Sequence, residues 1–90
     1  MKYIRVKWIH SLPNEPITLL SELDDDRYEV RKLEIFRDGS AGRASGDASV
    51  GQTVLGELPI PSLDEINSDS QFQAEEITHS EFEAAWSGYA

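Results

Sequence analysis

The sequence predicts a single α+β domain, in which a mainly antiparallel sheet of about four to five strands is packed on one face by C-terminal helices. Short apolar runs with two-residue alternation fill the first part of the chain, and proline or Asp-Gly turns separate them. Helix-capping sequences follow after Pro61. We therefore expect residues 1–58 to form the sheet and residues 59–90 to form an acidic helical part packed on it, within one domain of residues 1–90.

The first strand follows from the alternation of apolar and polar residues over residues 3–9. Its apolar side chains are Ile4, Val6 and Trp8, which we expect to enter the core together. Prolines bracket the next turn, and residues 17–23 are predicted to pair back antiparallel as the second strand.

The third strand is predicted over residues 27–37, after a turn formed by the consecutive aspartates at 24–26. Its apolar residues change from even to odd positions, which one extra residue near residues 31–32 would explain, so we predict a β-bulge there. A helix over residues 26–36 is the competing interpretation, because glutamate, arginine, lysine and leucine are good helix formers. The β-branched and aromatic content favours the strand.

The next segment begins with Asp38-Gly39, a hairpin signal in which glycine adopts positive φ at little cost. Residues 41–45 are predicted as the returning strand. A loop over residues 46–51 then precedes residues 52–58, which we interpret as a further strand at the edge of the sheet.

Capping sequences predict two helices in the last third of the chain. Ser62 begins a capping box and a short helix that ends near Asn67. Thr78 begins a second capping box, ahead of a helix over about residues 80–87. The segment 72–77 between them is too short to assign from its pattern.

The last helix carries one apolar stripe at helical spacing that we expect to dock on the sheet: Phe82, Ala85, Trp86 and Tyr89. The glutamates beside this stripe, Glu81 and Glu83, are expected to face water. Sheet and helix should then share a core centred on four large apolar side chains: Trp8, Leu33, Phe82 and Trp86.

Cationic and anionic residues are segregated along the chain. Every lysine and arginine lies at or before Arg43, nine carboxylates follow it, and the net charge is −9. Such a field repels nucleic acid and anionic membranes and attracts a cationic partner. Most of the later carboxylates form the candidate partner-binding set: Asp64, Glu65, Asp69, Glu75, Glu76, Glu81 and Glu83. The alternative interpretation of this set is a solvated surface that only confers solubility.

Motifs of known catalytic or cofactor chemistry are missing from the sequence. It has no cysteine, no glycine-rich phosphate loop and no serine elbow. His10 and His79 are too far apart in the chain for a metal-ligand motif, so we predict no metal site, no cofactor and no catalytic residue. A hydrolase that uses His10 as a general base is the least favoured hypothesis, since a histidine at a strand end more often bonds to the backbone.

Several segments spread over nearly the whole chain carry a family resemblance: residues 7–10, 15–16, 21–24, 27–32, 34–39 and 59–61. Together they resemble an uncharacterised family of small bacterial proteins that share a domain of unknown function. The resemblance implies a bacterial, cytoplasmic, stand-alone domain. It carries no activity and no site residue over to this chain.

The leading functional hypothesis is a non-enzymatic, immunity-type or antitoxin-like protein that occludes a cationic toxin or nuclease with its carboxylates. Small acidic proteins that neutralise toxins supply an analogy of size and charge only. The alternative is a small-ligand-binding or regulatory module, whose candidate pocket lies near Trp8, His10 and Phe36 at the sheet edge.

Overall fold

The structure, a computed structural model, describes residues 1–46 and 48–89 and contains one six-stranded antiparallel sheet and two short helices. The elements in chain order are β1 (Lys2–Trp8), β2 (Thr18–Leu23), β3 (Glu29–Ile35), β4 (Ala41–Ser45), β5 (Ser49–Val50), α1 (Leu63–Asn67), β6 (Phe72–Ile77) and α2 (His79–Gly88). The strand order is β5-β4-β3-β2-β1-β6, so the first five strands form a meander and β6 joins it beside β1. The α+β class is confirmed.

The sheet has more strands than the predicted four to five, because the C-terminal part of the chain contributes to it. Residues 72–77, which the pattern left unassigned, form β6, so residues 59–90 are not purely helical. A two-residue strand, β5, also lies inside the predicted loop over residues 46–51. Asp47, which belongs to that loop, lies outside the described residues.

The predicted β-bulge is present in β3, and the helical alternative for residues 26–36 is wrong. Glu22 pairs with Arg31 and the next residue of β2, Leu23, pairs with Glu29, so Val30 is the extra residue. The bulge lies about one residue before its predicted position. It explains why Glu29 and Leu33, both at odd positions of β3, lie on opposite faces of the sheet, which a regular strand does not allow.

Both hairpin turns of β3 contain one residue with positive φ. Gly39 has φ 88° in the predicted turn before β4, whereas Arg27 has φ 67° in the turn after β2. Asp24 stabilises the latter turn through its Oδ1, which accepts hydrogen bonds from the backbone N–H groups of Asp26 (3.0 Å) and Tyr28 (2.9 Å). A left-handed arginine is uncommon and needs support from its surroundings.

One face of the sheet, the helix face, packs against α2. The core there contains Tyr3, Leu20, Leu33 and Ile77 from the strands and Phe82 from the helix. Phe82 is completely buried, and Ala85 and Trp86 pack against the same cluster as the stripe predicts. Tyr89 is 40% exposed, so its predicted place in the stripe is wrong. The helix begins with the predicted capping box of Thr78.

The opposite face, the strap face, holds Ile4, Val6 and Trp8, so the expectation that Trp8 shares a core with Leu33 and Phe82 is wrong. Trp8 stacks on Phe72, with ring centroids 6.0 Å apart. The strap face is covered by α1 and by residues 51–62, which we name the strap. The two helices therefore lie on opposite faces of the sheet, and the prediction that the C-terminal helices pack on one face is wrong. The strand β1 is apolar on both sides, and Tyr3, on the side away from Ile4, packs against α2.

The strap is an extended segment without strand pairing, which corrects the predicted edge strand at residues 52–58. It begins at Gly51, whose φ of 75° turns the chain away from the ladder. Thr53 then lies buried on β4, at a place where a Cβ on Gly42 would come within 2.2 Å of the threonine Oγ1. Glycine at position 42 therefore permits the strap to cross the sheet.

Asn67, the last residue of α1, protects the outer edge of β6. Its side-chain amide donates to the carbonyl of Ala74 (2.9 Å), and its amide oxygen accepts from the N–H of Ala74 (2.6 Å). The N–H of Phe72 donates to the carbonyl of Asp69 (3.0 Å) on the same edge. These bonds imitate a neighbouring strand and fix α1 beside β6.

The docking of α2 predicts a large effect for Phe82→Ala. Removing this buried ring should lower the free energy of unfolding by roughly 3 to 5 kcal/mol, because a cavity remains under the helix. Urea denaturation would measure the loss. The matched control, Tyr89→Ala on the exposed end of α2, should change stability by less than about 1 kcal/mol. A Phe82→Ala variant as stable as that control would contradict the docking.

The edge protection predicts that Asn67→Ala lowers stability by roughly 1 to 2 kcal/mol, since two hydrogen bonds are lost. It should also promote concentration-dependent self-association through the exposed edge of β6. Urea denaturation and size-exclusion chromatography at several concentrations would measure both effects. Asn67→Asp keeps the acceptor for the Ala74 N–H, so its free energy of unfolding should lie between those of the parent and of the alanine variant. Equal stability and equal apparent size of the parent and both variants would contradict the protection of the β6 edge by Asn67.

Candidate docking site on the strap face

The strap is fastened to the sheet by a buried carboxylate. Glu29 Oε1 accepts hydrogen bonds from the N–H of Gly56 (2.7 Å), and Oε2 accepts from the Ser21 hydroxyl (3.0 Å). The Lys32 ammonium lies 3.1 Å from Oε1 and also donates to the carbonyl of Val54 (3.2 Å). The Glu29 side chain is 2% exposed, and such a charge is tolerated only with partners of this kind.

Further contacts fix both ends of the strap. Thr53 donates its hydroxyl hydrogen to Glu34 Oε1 (2.6 Å) near the start. Arg27 holds the other end: its guanidinium donates to the carbonyls of Ile60 (2.8 Å) and Pro61 (2.6 Å), and its own carbonyl accepts from the N–H of Ile60 (2.8 Å). These bonds support the left-handed backbone of Arg27 and define the entry to α1.

A groove with a volume of about 450 Å³, which we name the strap groove, remains between the sheet, the strap end and α1. Its lining includes the apolar side chains Ile4, Val6, Leu19, Ile60, Ile66 and Phe72. The groove exists because α1 has only five residues and cannot cover the whole face. Its volume lies within the range of roughly 300 to 1,000 Å³ that ligand sites occupy.

Carboxylates also line this groove. Glu65 and Asp69 belong to it, on α1 and on the turn that follows, and Asp64 is exposed on the same helix. None of these three forms an ion pair with a cation in residues 1–46 and 48–89. Glu65 accepts a long hydrogen bond from Ser62 (3.4 Å), and Asp69 accepts from the N–H of Gln71 (2.9 Å). Their charges therefore stay available to a partner.

The other carboxylates of the predicted set interact with this chain. Glu75 accepts from Arg5 Nε (2.9 Å), and Glu76 lies 3.9 Å from the Lys2 ammonium. Glu81 completes the capping box by accepting from the N–H of Thr78 (3.0 Å). Glu83, predicted to face water, forms an ion pair with Arg31 and is half-buried. The structure thus separates the set into a free group near the groove and a group with structural contacts.

Arg31 is the centre of an ionic and aromatic cluster on the helix face. It donates to Glu22 through Nε (2.8 Å) and Nη2 (3.1 Å) and pairs with Glu83 of α2. Its guanidinium carbon lies 4.8 Å from the ring centre of Phe82 and 5.1 Å from that of Trp86. Hydrogen bonds to the two carboxylates raise the pKa of Arg31, and hydrogen bonds from Arg31 lower the pKa of Glu22 and of Glu83.

Nearly all cationic side chains are used inside the fold. Besides the pairs above, Arg37 donates to the His10 carbonyl (2.8 Å). Arg43 donates to the Trp86 carbonyl (3.0 Å) and stacks over that ring. Lys7 is the exception, with no acceptor in the part of the chain that the structure describes. Most of the cationic side chains are therefore engaged by carboxylates or carbonyls of this chain, and carboxylates without an ion pair occur at other places in the described residues, including the strap groove.

The candidate pocket residues lie at one end of the sheet but do not enclose one cavity. The rings of Trp8 and His10 are 4.2 Å apart, whereas Phe36 lines a separate open depression of about 650 Å³ with Arg37. His10 is part of the β1–β2 turn: Nδ1 accepts from the N–H of Leu12 (2.9 Å), so Nε2 carries the proton and donates to the carbonyl of Pro16 (2.7 Å).

Sequence reasoning missed the strap groove. Its lining combines residues from β1, β2, α1 and the strap, and the predicted edge strand placed the strap beside the sheet instead of across it. The signal available in the sequence was Gly42 on a strand, since such a glycine often marks a close approach of another backbone. Glu29 and Lys32 were interpreted as strand residues only.

Metal-ligating side chains are not clustered in the described residues: no group of three or more histidine, aspartate or glutamate side chains there is placed to hold an ion. Among the same residues, neither helix has the length and apolar character that crossing a membrane requires.

The ionic cluster predicts acid sensitivity. Glu22 and Glu83 have pKa values below the ordinary 4.5 in the folded state, so their ion pairs stabilise the fold above that pH and are lost as the pH falls through the lowered values. Arg31→Met should cost roughly 2 to 4 kcal/mol near neutrality, because Glu22 stays buried without its partner. The cost should shrink in acid, where Glu22 is protonated.

Urea denaturation of parent and Arg31→Met from about pH 7 to about pH 3 would test this. The matched control is Arg37→Met, which removes an exposed arginine bonded to a carbonyl, and its small cost should not vary with pH. A stability difference between parent and Arg31→Met that stays constant over this range would contradict the ionic role of Arg31.

Comparison with known proteins identifies a family and nothing finer. No curated protein and no solved structure matches the chain. The family model described as a domain of unknown function (DUF6881) matches residues 2–90, which covers all but the first residue. This agrees with the expected membership of an uncharacterised family. The chain belongs to the DUF6881 family of domains of unknown function.

Proposed function

We propose that this protein is a non-enzymatic binding protein that occludes a cationic protein, in the manner of an immunity protein or antitoxin acting on a toxin or nuclease. The observation that carries the proposal is that nearly all lysine and arginine side chains bond to carboxylates or carbonyls of this chain, as described above. Among the described residues, Asp64, Glu65 and Asp69 are left without an ion pair, and Glu65 and Asp69 line an apolar groove. Such an inhibitor would act in the cytoplasm of a bacterium, which agrees with the family resemblance of the sequence.

Electrostatics and apolar contact would have separate tasks in this docking. A chain with a net charge of −9 attracts a cationic protein over several ångströms and accelerates encounter, up to about 10⁸ to 10⁹ M⁻¹ s⁻¹ at low salt. Charge alone gives short-lived complexes, because exposed ion pairs contribute only about 0 to 1 kcal/mol each. The apolar lining of the strap groove would supply the slow dissociation that occlusion needs.

The position of His10 supports a non-enzymatic function. Both of its ring nitrogens bond to the backbone of its own turn, so neither is free to move a substrate proton. The Ser21 hydroxyl and the Lys32 ammonium, which line the groove, are both bound to the buried Glu29, and this group holds the strap. We therefore assign the groove a binding role and no catalytic residue.

A small-ligand-binding or regulatory module is the second candidate. The open depression lined by Phe36, Arg37 and Asp38 favours it, because its volume of about 650 Å³ suits a small polar molecule. Its lining is mostly turn residues, and Trp8 and His10 lie outside it. Chemical-shift changes confined to Phe36 and Ser40 on addition of a metabolite mixture would support this candidate.

Association kinetics test the docking proposal. Proteins would be captured from the source cell with the tagged chain, and a cationic one would be purified for stopped-flow measurements. A triple variant, Asp64→Asn, Glu65→Gln and Asp69→Asn, should slow association about tenfold at low salt and weaken its salt dependence. Stability should change by less than about 1 kcal/mol, since these carboxylates are exposed.

The matched control neutralises three other exposed carboxylates with Glu15→Gln, Asp25→Asn and Asp26→Asn. It removes the same total charge from hairpin turns and should slow association much less. Equal rates for the two triple variants would mean that only net charge matters and that the strap face is not the docking site. A captured partner that is acidic or neutral would also refute the proposal.

A further inference from the structure

We propose that the strap groove receives an amphipathic segment of the cationic partner, in which a large apolar side chain enters the groove and a neighbouring lysine or arginine pairs with Glu65 and Asp69. This inference rests on the proposed function and specifies its contact. It distinguishes a shaped site from a diffuse acidic surface, which would accept any basic sequence.

The lining of the groove is an incompletely covered core. Ile4 is buried, but Val6, Leu19, Ile66 and Phe72 are only half-buried. Inserting one leucine-sized side chain would complete this apolar layer, and full burial of such a side chain contributes about 1.5 to 3 kcal/mol. A purely basic segment would leave these side chains exposed to water.

The lining of the groove carries a net charge, and this determines the sign of the charge that the bound segment must carry. Glu29 and Lys32 form a pair at 3.1 Å and cancel each other. Glu65 and Asp69 remain without a cation in the part of the chain described, so the lining is negative. An apolar segment that carries a positive charge complements both properties, whereas an acidic apolar segment would be repelled.

The groove is preformed, and the segment must enter it by side-chain insertion. Arg27 and Glu29 hold the strap through backbone atoms, so little ordering is needed on binding. Addition of a strand to β6 is blocked, because Asn67 occupies the N–H and carbonyl of Ala74. The contact therefore uses the face of the sheet and not its edge.

The experiment is an NMR titration of the ¹⁵N-labelled full chain with three synthetic peptides of equal length. One alternates leucine and arginine, one serine and arginine, and one leucine and glutamate. The leucine–arginine peptide should shift the amide signals of Val6, Leu19, Ile66 and Phe72 and bind at least about tenfold more tightly than the others.

Charge reversal at the groove gives a second readout. Glu65→Lys should weaken the leucine–arginine peptide about tenfold or more, whereas Glu15→Lys, which changes the net charge equally, should weaken it less than about threefold. Both sites are exposed, and thermal denaturation would confirm that both variants fold. Equal weakening by the two reversals would overturn the groove assignment.

The peptide results separate this inference from the proposed function. Equal affinity of the two arginine peptides would overturn the groove inference and leave docking of cationic proteins intact. Equal affinity of the two leucine peptides would show an apolar site without charge preference and would overturn the inference as well. Amide signals that shift only on the helix face, or that do not shift at all, would also overturn the inference. A different experiment would show failure of the proposed function: the association rate with the cationic partner would not change when Asp64, Glu65 and Asp69 are substituted.

Discussion

The fold depends on one constraint: a sheet with two apolar faces must be covered on both sides, and the segments that follow β5 provide both covers. The strand β1 contributes Tyr3 to one face and Ile4 and Val6 to the other, and both faces need shielding from water. The helix α2 covers one face well. The strap and the five-residue α1 cover the other face incompletely and leave the strap groove between them.

Two adjacent residues of β3 hold the two covers in place from opposite sides of the sheet. Arg31 points to the helix face and pairs with Glu83 of α2, whereas Lys32 points to the strap face and binds the carbonyl of Val54. Each has a buried glutamate beside it, Glu22 or Glu29, that keeps its charge compensated. The alternation of a strand thus allows one short sequence to anchor both layers.

Much of the fold could be predicted because local rules governed it. Alternation, turn residues and capping boxes gave the hairpins, the bulge and α2, since these depend on neighbours in the chain. The side of the sheet that each cover takes could not be predicted, because it depends on distant pairs such as Glu29 with Gly56. Trp8 was misplaced for the same reason: alternation shows that it shares a face with Val6, but not which cover lies there.

The candidate site was predicted less well than the fold. The sequence indicated an acidic surface, but it could not show that Glu75, Glu76, Glu81 and Glu83 are occupied by partners within the chain. Charge segregation along a sequence disappears when strands bring distant segments together, as the register of β1 and β6 does for Arg5 and Glu75. What remained predictable was the sign of the excess charge, which depends on composition alone.

The strap is held almost entirely through its backbone, and this has an evolutionary consequence. Glu29 and Lys32 bind the N–H of Gly56 and the carbonyl of Val54, and Arg27 binds two further carbonyls, so the side chains at many strap positions take no part in the attachment. Val54 and Leu58 are 68% and 77% exposed. We therefore expect substitutions at Val54 and Leu58 to leave the fold intact, so that the same scaffold can present different side chains to different partners while Arg27, Glu29 and Lys32 hold the strap.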